Sequence, residues 1–224
     1  MTIAAHLIPP WLSTVLWVLM ACTCALCLYY ADWGALRRVP ARSHLLFGGT
    51  VACLVLWLIS VNIIEGLWIH FLGMTALTLI LGWRFAILSG SLAIVLHTLI
   101  IGQPFSAASV AWLLTVAAPA SVSRWLVHRL RHLRSGNLFI YMLGAGFGGG
   151  LLAVLVVAPL ALSLLWLSGQ QAWVDLAIEN WTLIFLLLFP EGFINGMVVT
   201  TLTVFYPDLV KTFDDAHYLG GGED

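Results

Sequence analysis

Charge is scarce in this 224-residue chain. Asp, Glu, Lys and Arg together make up 8% of it, and Lys211 is the single lysine. A soluble domain carries about 25% charged residues. A composition that is 62% hydrophobic, with mean hydropathy +1.03, exceeds what a soluble fold of this length can bury, so lipid must serve as solvent. Net charge is −1, and no basic patch alternates with stacking aromatics, which excludes a nucleic-acid role. Cys22, Cys24 and Cys27 fall in the first apolar run and Cys53 in the second, so they act as small hydrophobes and make no disulfide framework. There is no Gly-rich Lys-Ser/Thr phosphate loop, so the chain cannot hydrolyse ATP by itself. It also lacks a His-Glu-x-x-His helix, paired catalytic carboxylates and a nucleophile beside a base, and it reads as a non-enzyme. Met1 to Pro10 holds no Lys or Arg, so the first apolar run lacks the positive segment of a cleaved signal. It is expected to be a retained helix with its N-terminus outside.

The runs that are present are long and apolar. A crossing needs about 20 such residues, and the sequence supplies runs at 11–30, 44–63, 66–82, 85–102, 107–123, 138–167 and 178–206. None shows the two-residue alternation of a barrel strand. The expected fold is an all-α integral membrane bundle of seven transmembrane helices. One domain covers 1–207, and an acidic tail covers 208–224. With seven crossings, Arg37, Arg38, Arg42, Arg84, Arg124, Arg129, Arg131, Arg134 and Lys211 all fall on one side. Cytoplasmic loops collect Lys and Arg, so the C-terminus is expected to be cytoplasmic. The glycine-rich stretch Gly144–Gly150 would be a loop in water. Inside the sixth crossing it lets another helix approach closely.

The topology sorts the remaining polar residues. His70 and His97 come to the outer ends of two neighbouring crossings, and His6 precedes the first crossing on the same side. Imidazole is a common ligand for divalent transition metals, so His70, His6 and His97 form the candidate metal site. Glu191 follows Pro190 about halfway along the last crossing, and Asn195 lies one turn later on the same face. A carboxylate at that depth must be paired, protonated or in a polar cavity. The pair is a candidate polar core or conduction path, or equally a packing network. Glu65 stands at the outer mouth, where it could attract cations.

Three stretches carry a resemblance: Ile69-His70-Phe71-Leu72-Gly73-Met74-Thr75-Ala76 with Leu81-Gly82-Trp83, then Leu96-His97-Thr98-Leu99-Ile100-Ile101-Gly102, and Pro190-Glu191-Gly192-Phe193-Ile194-Asn195-Gly196 with Tyr206-Pro207-Asp208-Leu209. They resemble the CbiM/NikM family, the substrate-binding membrane subunits of cobalt and nickel energy-coupling-factor transporters. The resemblance implies an outward-facing metal site in a seven-helix bundle of the bacterial inner membrane. It also implies a coupling transmembrane subunit and ATP-hydrolysing subunits docked on the cytoplasmic face. In the family a second-position histidine binds the metal through imidazole and backbone nitrogen, the terminal amine adds a ligand, and a later histidine, matched by His70, completes the set. Here His6-Leu7-Ile8-Pro9-Pro10 resembles that opening with five residues before the histidine. His97 stands where many members carry glutamine and is expected to supply a further imidazole. The substrate implied is nickel or cobalt, with copper and zinc left open. The alternative reading is a membrane-embedded assembly factor, sensor or structural protein with a degenerate metal site.

Overall fold

The computed structural model describes residues 2–64, 66–132, 137–214 and 218. Among the described residues six helices are long and apolar enough to cross a membrane. They are α1 (Pro10–Tyr30), α3 (Pro40–Leu58), α5 (Trp83–Ile101), the joined pair α6 (Phe105–Trp112) and α7 (Ala118–Arg131), the unit ending in α8 (Gly149–Leu167), and α10 (Leu183–Phe205). At 1.5 Å per residue the 19 residues of α5 span about 28 Å, close to the hydrocarbon thickness. Short helices α2 (Trp33–Arg38) and α9 (Gln171–Glu179) lie in two of the connections. Pro10 and Pro40 stand at the first turns of α1 and α3, where the missing N–H has no helical partner to lose.

The expected third crossing, 66–82, is not one helix. It runs as strand β3 (Leu67–Ile69), an extended stretch through His70 to Gly73, and then α4 (Met74–Leu81). β3 is the middle strand of a small antiparallel sheet. On one side lies β1 (Thr2–Ile3), with Thr2 opposite Trp68 and Ile3 opposite Leu67. On the other lies β2 (Val61–Ile64), with Val61 opposite Ile69. Apart from these three short strands the described fold is all-α, and it is the expected continuous helix over 66–82 that is interrupted. The physical reason is Gly66 and Gly73, at φ +85° and +67°. These left-handed positions turn the chain where a continuous helix would have to pass.

All eight residues of α4 are buried, so α4 is the central post of the bundle. A buried helix eight residues long exposes unpaired amides and carbonyls at both ends. α10 and the segment after it supply partners for each. At the N-terminal end, Glu191 and Asn195 accept from backbone N–H groups (distances below). At the C-terminal end, the Lys211 and Thr212 amides donate to the carbonyls of Ile80 and Leu79 at 2.9 and 3.1 Å. The Thr212 hydroxyl also donates to Leu79 O at 2.9 Å.

The glycine-rich stretch forms the wide turns Ile140–Gly148, of π-helical geometry, leading into α8. A Cβ on Gly146 would lie 3.2 Å from Gly196 Cα, and one on Gly150 would lie 2.9 Å from Gly192 Cα. Backbone meets backbone between this unit and α10 at two levels, as the glycine pattern leads one to expect. α7 runs on as helix past 123, the expected end of that crossing, through the basic residues to Arg131.

Candidate metal centre

His70 stands immediately after β3, where the chain leaves the sheet and turns towards α4. His97 lies in α5. They are 3% and 4% exposed, with ring centroids 6.5 Å apart. The fully buried Trp57 ring from α3 is 6.2 Å from His70. Each imidazole has one nitrogen oriented by a carbonyl. His70 Nδ1 lies 2.9 Å from Phe71 O, and His97 Nε2 lies 3.2 Å from Trp57 O. A carbonyl can only accept, so in these bonds the neutral rings carry the proton at those nitrogens. In that tautomer the second ring nitrogen of each, His70 Nε2 and His97 Nδ1, is an acceptor and not a donor. The loop is braced further by Trp57 Nε1, which donates to Leu72 O at 3.0 Å.

Glu191 and Asn195 do not face an open path. They are 1% and 0% exposed. Glu191 Oε2 accepts from Leu72 N at 2.7 Å and Oε1 from Gly73 N at 2.8 Å. Asn195 Oδ1 accepts from Ala76 N at 2.7 Å, while its Nδ2 donates to Glu191 Oε1 at 2.6 Å and to Glu191 O at 2.7 Å. A carboxylate at the start of a helix fits the positive end of its dipole. The pair thus holds the stretch that begins two residues after His70.

His6 is not gathered with the other two histidines. It lies in an exposed 3-10 turn, Ala5–Leu7. Among the described residues no three His, Cys, Asp or Glu side chains assemble as a metal-holding group. The physical reason is β1: the first residues leave as a strand on β3, and the turn that follows directs His6 outward. Thr2, 5% exposed and opposite Trp68, occupies the strand beside the loop that carries His70. Sequence reasoning passed over Thr2 and Trp57. Two alternating residues are too few to announce a strand, and Trp57 acts through its main-chain carbonyl and its indole N–H, neither of which marks a site in sequence. Glu65 lies outside the described residues.

The geometry is that of two buried imidazoles beside an inserted strand. Two solved structures share the fold. A truncated transition metal transporter has TM-score 0.69 and 18% identity, covering 93% of this chain and 99% of that one. A transition metal transporter has TM-score 0.67 and 19% identity, covering 99% and 98%. At these identities the likeness is one of fold. A search of curated proteins finds no match. The family profile described as the cobalt uptake substrate-specific transmembrane region matches residues 2–209, and the chain belongs to that family, CbiM.

Proposed function

We propose that this multi-pass membrane protein is the substrate-binding subunit for uptake of a divalent transition metal, cobalt or nickel by family, with His70 as its principal ligand. The observation that carries the reading is the buried His70–His97 pair, 6.5 Å between ring centroids, each with one nitrogen fixed by a carbonyl. Metal–imidazole bonds are about 2.0–2.1 Å, so an ion between the two rings requires a modest approach of one towards the other. Backbone or hydroxyl donors of the β1 strand would complete the set, because His6 points away.

In this reading the N-terminus is outside and the C-terminus inside. The broken segment 66–82 then serves as a seventh crossing beside the six long helices, in the bacterial inner membrane. Irregular backbone at membrane depth is tolerated where protein buries it, and Glu191 and Asn195 supply that burial. Since the chain has no nucleotide loop, ATP-hydrolysing subunits and a coupling membrane subunit would supply the energy on the basic face.

Metal content decides the matter. Untagged protein purified in detergent is assayed by mass spectrometry of bound metal after equilibration with cobalt or nickel. About one ion per chain, lost in His70→Ala but kept in His6→Ala, is the expected outcome. A metal-free wild-type chain would reject it. One observation favours the runner-up, a non-transport protein with a degenerate site: a threonine, Thr2, stands where the family carries its histidine. The same assay separates the two readings.

A further inference from the structure

We propose that the basic end of the bundle holds a phospholipid with an anionic headgroup, its phosphate in an arginine-lined cavity and an acyl chain in the apolar groove that opens from it. The cavity, about 510 Å³, is lined by Arg42, Arg84, Arg124, Arg131 and Lys211. One described carboxylate, Asp32, shares the lining, and it is engaged by Arg38 at 3.5 Å and by Ala35 N at 3.2 Å. That ion pair is the one found among the described residues, so the five cations of the cavity have no carboxylate partner there.

The four arginines are nonetheless held. Arg131 donates to Thr212 O at 2.7 Å and Arg42 to Asp208 O at 3.1 Å. Arg124 sits 5.0 Å over the Trp83 ring and Arg84 6.0 Å over Tyr30. Arg42 Nε is buried without a hydrogen-bond partner. Preplaced guanidinium groups that, among the described residues, share their cavity with Asp32 as the one carboxylate are an arrangement that a phosphate satisfies, two N–H donors at a time.

A second cavity, also about 510 Å³, is walled by apolar side chains of α1, α5 and α6–α7, among them Leu19, Leu26, Ile87, Trp112 and Leu113. Trp83, Arg84 and Arg124 line both spaces. The cations therefore meet an apolar groove on the lipid-facing side, which has the outline of an amphiphile. A soluble phosphate has no use for the groove, and neither does an acidic peptide. Basic pockets between membrane helices are known lipid-headgroup sites.

Native mass spectrometry of the full chain in detergent tests this, with phosphatidylglycerol and phosphatidylcholine of matched chains as probes. Phosphatidylglycerol should be retained about tenfold better. The double variant Arg84→Ala/Arg124→Ala should erase that preference, and Arg37→Ala, whose side chain does not line the cavity, should keep it. Ala118→Trp, which fills the groove while keeping every cation, should reduce retention of phosphatidylglycerol. Variants are compared after circular dichroism shows unchanged helicity, and either one alone suffices. Equal retention of the two lipids overturns the proposal, as does retention indifferent to both variants. Displacement by equimolar inorganic phosphate would make it a soluble-anion site, and displacement by oligoglutamate would make it a docking site for an acidic partner; either result overturns the lipid assignment.

Discussion

Glu191 Oε2 accepts a hydrogen bond from the Leu72 amide at 2.7 Å, across 119 positions of sequence. This contact ties the last long helix to the loop that carries His70. With Oε1 on Gly73 N and Asn195 on Ala76 N, it replaces the turn of helix that α4 lacks.

Removing that acceptor strands donors that water cannot reach. Glu191→Ala leaves Leu72 N, Gly73 N and one Asn195 N–H bond unmet, and a buried unmet donor costs about 1–3 kcal/mol. A loss of about 3 kcal/mol in unfolding free energy is expected, read as a lowered melting temperature in detergent without metal. Glu191→Gln should lose less, because one oxygen still accepts while its NH2 opposes the other amide. If Glu191 served ion passage and not the backbone, stability would hold in both variants.

The backbone approach of α8 and α10 gives a second prediction. Gly150→Ala puts a methyl 2.9 Å from Gly192 Cα and 3.0 Å from Glu191 O. Overpacking costs about 1–3 kcal/mol, and here it also displaces the Glu191 cap. Gly48 is a control within a helix: a Cβ there meets nothing within 4 Å. Gly48→Ala should hold or raise the melting temperature, since alanine favours helix by about 1 kcal/mol.

Hydropathy made the long helices legible because each is one uninterrupted apolar run. It also placed Glu191 and Asn195 on a shared face, and the glycines in a helix contact. It did not show that 66–82 is broken. An apolar strand and an apolar helix look alike over so few residues, and what separates them is the turn at Gly66 and Gly73. His6 shows a related limit. Its distance from Pro9 resembles the family's opening in residue type, whereas the sheet register with Trp68 brings Thr2, not His6, alongside the histidine loop.

Metal binding to two imidazoles competes with protons, because only the neutral ring binds. Calorimetry at pH 8, where both rings are neutral, should show weaker binding of cobalt or nickel to His97→Ala than to wild type. Equal affinities would take His97 out of the ligand set.

Thr2→His is the sharpest test of the strand. β1 holds position 2 opposite Trp68, two residues before His70, and Thr2 is 5% exposed. An imidazole there would join those of His70 and His97, giving three nitrogen ligands from three segments. Each added ligand in a preformed site strengthens binding because the entropy of assembly is already met by the fold. Calorimetry should show affinity for nickel or cobalt raised by about tenfold or more, while His6→Ala in the same background changes nothing. If Thr2→His leaves affinity unchanged in a chain that still folds, the strand does not deliver its second residue to the metal. The site would then have to be built from His70 and His97 alone.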